Sequence, residues 1–197
     1  MSANELDNSV GARHPQSRVD VSTTVNGRTR SGTVNSRDTL ADYLRTDLAM
    51  TGTKLGCEHG VCGACTILVD DSPARSCLML APQADGKEIR TVESLDSAGR
   101  LNALQLAFQK HHALQCGFCT AGFLMSATAL LERDPTPGRG DIVEALSGNL
   151  CRCTGYETIV DAVLEVSEAN SRGAAATVEP GSPVEGSVVA DKEGGAK

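Results

Sequence analysis

Tryptophan is absent, and aromatic residues make up only 3% of the 197. A core must therefore be mostly aliphatic, drawn from the 40% of residues that are hydrophobic. Long apolar runs are missing as well, so no stretch reads as a membrane span. No block of lysine or arginine occurs, and the formal net charge is −7. Such a chain has little to displace the counterions that phosphate holds, which argues against a nucleic-acid partner. Residues 1–18 are polar, without the apolar stretch and small-residue cleavage site of a secretory leader. The expected setting is the reducing cytoplasm, where disulfides do not persist.

What is present in excess is cysteine, eight residues in all. In a reducing setting, clustered cysteines read as metal ligands. Gly56-Cys57-Glu58-His59-Gly60-Val61-Cys62-Gly63-Ala64-Cys65 packs three of them with three glycines into ten residues, and Cys77 follows. The pattern C-x4-C-x2-C…C is the spacing of a plant-type [2Fe–2S] site. Two irons bridged by two sulfides need four thiolates arranged as two tetrahedra. A tight glycine-rich loop supplies three of them and lets backbone N–H groups approach the sulfurs. The other four are Cys116 and Cys119, a C-x2-C pair, and Cys151 and Cys153, a C-x-C pair. The pairs stand 31 residues apart, room for two helices and a connection. All eight cysteines are then used as two sets of four. Structural zinc and a C-x2-C redox pair remain as competing readings. Zinc sites usually pair two C-x2-C-type knuckles, and neither set here does so.

Periodicity divides the chain. Val19, Val21, Thr23 and Val25 alternate as a strand, Asn26-Gly27 marks a hairpin, and Arg28 to Val34 returns. Ser36 or Asp38 can cap a short helix carrying Leu40, Tyr43, Leu44 and Leu48. Thr66 to Val69 forms a buried strand, Asp70 to Pro73 a turn, Ala74 to Cys77 a further strand, and Ile89 to Val92 the last. After about residue 93 the pattern becomes helical. One helix carries Leu101, Leu104, Ala107 and Phe108, and a second carries Phe123, Leu124, Ala127, Leu130 and Leu131. Asp134 to Gly138 breaks the second. A short third helix spans Asp141 to Leu146. Thr154 to Glu157 fits a T-x-x-E capping box for a fourth, carrying Ile159, Val160, Val163 and Leu164. The expected class is α+β. Residues 1–17 read as a disordered arm, and 18–92 as a ferredoxin-like β-grasp domain. Residues 93–168 read as an all-α four-helix-bundle domain, and 169–197 as a disordered tail.

The loop Gly56 to Thr66 closely resembles the first cluster motif of the xanthine oxidase family of molybdenum hydroxylases. Gln115-Cys116-Gly117-Phe118-Cys119-Thr120-Ala121-Gly122 and Gly148-Asn149-Leu150-Cys151-Arg152-Cys153-Thr154-Gly155-Tyr156 resemble the second. The resemblance runs from about residue 19 to 168, and the length is similar to that of a separate small iron–sulfur subunit. One departure is Ala121, where the family usually has proline; alanine at a helix start is tolerated.

The resemblance implies a [2Fe–2S] cluster on Cys57, Cys62, Cys65 and Cys77, and a second on Cys116, Cys119, Cys151 and Cys153. It implies pterin contacts at Gln115 and Cys153. The partners would be a large subunit with molybdopterin cytosine dinucleotide and a medium subunit with FAD, in a heterotrimer or a dimer of heterotrimers. Substrate would bind on the large subunit. Electrons would run from molybdenum through the helical-domain cluster to the ferredoxin-type cluster and on to FAD. The competing reading is a free-standing ferredoxin, which leaves the second cysteine set unexplained. His59, His111 and His112 read as a loop residue and helix-end cations rather than ligands.

Overall fold

The computed structural model describes residues 17–96 and 99–173. The expectations for residues 1–16 and 174–197 lie outside them. Strands β1 (Arg18–Val25) and β2 (Arg28–Asn35) pair antiparallel along their full length. Asn26 and Gly27 join them with φ of 50° and 72°, the left-handed pair that a two-residue hairpin needs. Strands β3 (Thr66–Val69) and β4 (Ser72–Arg75) repeat the device across Asp70 and Asp71, both also at positive φ. The expected turn was longer, but Ser72 and Pro73 pair with β3. Proline is tolerated there because β4 is an edge strand.

Strand β5 (Glu88–Arg90) lies at the centre, parallel to β1 and antiparallel to β3. The order β2-β1-β5-β3-β4 is the mixed sheet of a β-grasp. Val92, expected at its end, instead opens a 3₁₀ turn.

Across the sheet lies α1 (Leu40–Asp42), which continues as a π-helical turn to Asp47. Its cap is Thr39, not Ser36 or Asp38. Thr39 has extended φ/ψ, and its Oγ1 accepts the Asp42 N–H at 3.1 Å. Asp38 is spent on the Asn35 N–H. Val21, Val25, Ile67 and Ile89 from the sheet bury against Leu40 and Leu44. Each such side chain contributes roughly 1.5–3 kcal/mol.

The second half is helical: α2 (Ala103–Lys110), α3 (Thr120–Arg133), α4 (Arg139–Leu146) and α5 (Glu157–Ser171). Each helix touches two others, so the four close into a bundle around Phe108, Phe123, Ile142 and Ile159. Asn102 and Gln105 form a reciprocal capping box on α2. Leu101 falls outside that cap and is exposed. The α4 helix starts at Arg139 rather than Asp141, whose carboxylate accepts the Gly138 N–H at 3.0 Å. The α5 helix continues to Ser171, three residues past the point where apolar periodicity fades. Ser167, on its last turns, is buried and donates to the Pro137 carbonyl. Among the described residues, no helix is long and apolar enough to cross a membrane.

Candidate metal centres

The Gly56–Cys65 loop lies between α1 and β3 and has no regular structure. Cys57 and Cys62 are partly exposed on it, while Cys65 is buried at the start of β3. Cys77 comes from a turn, not a strand. The β4 strand stops at Arg75, and Ser76 turns back to donate to the Cys65 carbonyl through both its N–H and its hydroxyl. That turn sets Cys77 beside Cys65 in a small cluster with Ala41.

The environments differ sharply. The Cys62 N–H donates to Cys57 Sγ at 3.4 Å. That bond first, then one from the His59 N–H, lowers the Cys57 pKa to about 6. Burial, with the bonded Cys65 thiol, pushes Cys77 up to about 11. The His59 ring Nδ1 donates to the Cys57 carbonyl, a loop-bracing role.

The second set gathers at one end of the bundle. Cys116 and Cys119 stand just before α3, and Cys151 and Cys153 between α4 and α5. Cys116 and Cys153 Sγ lie 3.6 Å apart, both exposed. Cys119 bonds to Cys151, and burial first, then that bond, pushes Cys119 up to about 12. Burial also raises Cys151, but hydrogen bonds from Thr154 and the Cys153 N–H outweigh it and leave its pKa lowered.

Thr154 departs from the expected capping box. Its Oγ1 lies 3.1 Å from Cys151 Sγ, and its N–H donates to the same sulfur at 3.4 Å. Glu157 is drawn away to an ion pair with Arg139. The cap position of α5 is Tyr156, with φ of 73° and no side-chain cap. A bulky residue in that region is strained. What holds it is its own N–H, which donates to Thr154 Oγ1 at 3.2 Å, the Tyr156 hydroxyl, which accepts the Cys151 N–H at 3.0 Å, and an edge-on contact with Phe123 at 6.3 Å.

Gln115 and Cys153 are brought together, with Gln115 Nε2 donating to the Cys153 carbonyl at 3.0 Å. Arg152 is exposed. His111 caps α2 and reaches Glu165 at 2.6 Å, tying α2 to α5.

The thiols therefore meet as pairs: Cys57 with Cys62, Cys65 with Cys77, Cys116 with Cys153, and Cys119 with Cys151. A mononuclear zinc site needs four thiolates around one ion. A binuclear cluster needs two per iron, and the pairs fit that division. All eight thiols are free of disulfides.

The two halves join beside the thiols. Leu150 N–H donates to the Cys62 carbonyl at 2.9 Å. Asn149 Nδ2 donates to the Gly63 carbonyl at 3.0 Å, and Arg75 Nη2 to the Gly148 carbonyl at 2.6 Å. Gly63 is needed on two counts. Its φ is +71°, and a Cβ there would stand 2.5 Å from the Gly148 oxygen. Sequence reasoning quoted Asn149 within the second motif without giving it a role, and passed over Arg75. The available signal was a polar Gly-Asn immediately ahead of a ligand pair.

A β-grasp half and a helical half, each holding a thiol quartet, define a two-centre iron–sulfur electron-transfer protein. A family model for a 2Fe-2S iron-sulfur cluster binding domain matches residues 23–95, and one for a [2Fe-2S] binding domain matches 91–164. The nicotine 6-hydroxylase small subunit of Paenarthrobacter nicotinovorans is 66% identical over 151 residues, covering 77% of this chain and 91% of the relative. The caffeine dehydrogenase subunit gamma of Pseudomonas sp. (strain CBB1) is 57% identical, covering 75% and 90%. The crystal structure of quinoline 2-oxidoreductase from Pseudomonas putida 86 matches with a TM-score of 0.76 and 56% identity, over 79% of this chain and 98% of that one. The chain belongs to the small iron–sulfur subunits of the molybdenum hydroxylases and dehydrogenases. It is an electron-transfer subunit of an oxidoreductase, and the free-standing ferredoxin reading is set aside.

Proposed function

We propose that Cys57, Cys62, Cys65 and Cys77 hold one [2Fe–2S] cluster and that Cys116, Cys119, Cys151 and Cys153 hold another. The chain would carry electrons from molybdopterin cytosine dinucleotide on a large partner subunit to FAD on a medium one. The observation that carries this reading is the gathering of the eight thiols in two sets, with Cys116 and Cys153 Sγ 3.6 Å apart in one and Cys65 beside Cys77 in the other, on either side of one junction between the halves. When bound, the clusters supply one-electron redox chemistry. This chain's residues position and bury them. The Cys62 N–H serves the Cys57 sulfur, and Thr154 and the Cys153 N–H serve the Cys151 sulfur. Such bonds stabilise added negative charge and so tune the potential.

Gln115 and Cys153 face outward together and would contact the pterin. The assembly would be a heterotrimer or a dimer of heterotrimers, in the cytoplasm, where eight free thiols are compatible with the redox poise. The relatives named as subunits of a hydroxylase and a dehydrogenase support the partnership.

The test is purification of the native complex with iron, molybdenum and flavin analysis and EPR. The expected result is two distinct reduced [2Fe–2S] signals with molybdenum and flavin on larger chains. A single signal, with four cysteines open to thiol reagents, would overturn the second-cluster assignment.

A further inference from the structure

We propose that Gly148-Asn149-Leu150 is a clasp that sets the separation and electronic coupling of the two cluster loops, with Asn149 as its positioning residue. The proposal rests on the ligand sets given under Proposed function. Three consecutive residues of the helical half each bond to the sheet half. The Gly148 carbonyl accepts from Arg75 Nη2, Asn149 Nδ2 donates to the Gly63 carbonyl, and the Leu150 N–H donates to the Cys62 carbonyl. On one side those partners are Cys62 itself and Gly63, which lies between Cys62 and Cys65. On the other side the next residue is Cys151. One hydrogen bond and a few backbone bonds thus connect a thiol residue of the first set with one of the second.

Asn149 holds that bond in place. It is only 2% exposed, and both ends of its amide are used. Nδ2 also approaches Thr66 Oγ1 at 3.4 Å, and Oδ1 accepts from Ser126 Oγ at 2.8 Å. Arg75 Nη1 donates to the same Thr66 hydroxyl at 2.6 Å. A buried amide with every polar atom matched admits one placement, and a half-matched one does not. The approach is close because side chains are missing. A Cβ on Gly122 would collide with the Gly63 carbonyl oxygen.

A second polar joint between the halves, Arg90 with Glu132, backed on the sheet side by Asp71, includes no thiol residue and is partly open to solvent. It can hold the halves together without setting the distance between the cluster loops. With both quartets loaded, transfer between the loops would move one electron, oxidising the donor by one and reducing the acceptor by one, with no proton or bond changing place. Its rate depends on separation and on the connecting bonds, which is where Asn149 acts.

The test is low-temperature EPR of the fully reduced complex, comparing native protein with Asn149→Ala and Ser126→Ala. Two reduced centres split each other's signals by an amount set by their separation and coupling. With both signals present, Asn149→Ala should shift the splitting, and Ser126→Ala should shift it less in the same direction. The Leu150 amide should lose protection from hydrogen exchange in both. A role in folding alone would lower the loaded fraction and leave the splitting of what remains unchanged, and that result overturns the proposal. If Asn149→Ala fails to load, Ser126→Ala decides by the same criterion. A native complex without two [2Fe–2S] signals would instead sink the ligand assignment.

Discussion

The two thiol sets reach similar pairings by opposite routes. The first takes three of its four cysteines from one ten-residue loop. The second joins positions as much as 37 residues apart, and only a closed bundle brings them together. Within each set one thiol is held low and another is pushed up: Cys57 to about 6 against Cys77 at about 11 in the first, and Cys151 lowered against Cys119 at about 12 in the second. The difference lies in what holds them, N–H donors of one loop in the first and the ends of separate helices in the second. The first centre should therefore need little beyond its own loop and the β3–β4 hairpin, whose following turn supplies Cys77. The second should depend on the packing of the helices behind it.

The most severe way to break this contrast is to remove a ligand from each side. Cys119→Ser should abolish the second cluster, cut bound iron by roughly half and leave one EPR signal, since each cluster needs its four thiolates. Cys62→Ser should do the same to the first cluster but leave the helical half folded. Iron analysis with EPR and circular dichroism on both complexes checks the pair. Helical collapse in Cys62→Ser would show that the two halves are not independently ordered.

Next in size is the core behind the second centre. Phe123 is 1% exposed and braces Tyr156, whose hydroxyl holds the Cys151 amide. Phe123→Ala should cost about 3–5 kcal/mol, by lost burial and a cavity. Thermal melts followed by EPR should show the second signal disappearing well before the first. Simultaneous loss would contradict the separation drawn above.

How much of this the sequence could reveal follows the same division. The sheet half was legible because its signals are local: period-two alternation in Val21 to Val25, the Asn26-Gly27 turn, and the loop spacing. The helices were legible from apolar periodicity and the Pro135–Pro137 break. Caps were read less well. Ser36, Asp38 and Thr39 are all competent cap residues, and only backbone dihedrals select Thr39. Thr154 satisfied the letter of a capping box, yet its hydroxyl lies against a sulfur and accepts the Tyr156 N–H, one residue short of the helix, while Arg139 took Glu157. Asn149 stood in the second motif, but its junction went unread because the two partners of each bond lie in different halves, and no period in the sequence records such a pair.

Those two threonines give a third comparison. Thr39 caps a helix, so Thr39→Ala should cost ~1 kcal/mol, read from the urea midpoint. Thr154 serves a sulfur and the Tyr156 N–H just ahead of α5, so Thr154→Val should loosen at most the entry to α5 and leave its body intact. It should lower the potential of the second cluster, because a donor that stabilises the reduced form is gone. A redox titration followed by EPR checks this. An unshifted potential with a lowered melting temperature would return Thr154 to a capping role.

The smallest expected effect belongs to the outer joint. Arg90 donates to both Glu132 oxygens, at 2.8 and 2.5 Å, and lies 2.9 Å from Asp71. Arg90's hydrogen bonding, against some opposing burial, holds the Glu132 carboxyl below its ordinary value of 4.5. A depressed carboxylate contributes stability that is fully present above the unfolded value and is lost as pH falls through the lower folded one. Glu132 is 47% exposed, so solvent screening limits the pair to ~1 kcal/mol or less. Arg90→Gln should therefore lower the urea midpoint slightly at neutral pH, and the gap should close as pH drops well below 4.5. High salt should narrow it too. The same variant should leave the EPR splitting of the two centres unchanged, because the joint includes none of the thiol residues. A shift as large as that of Asn149→Ala would mean that overall docking of the halves, rather than the Gly148–Leu150 contact, governs their coupling.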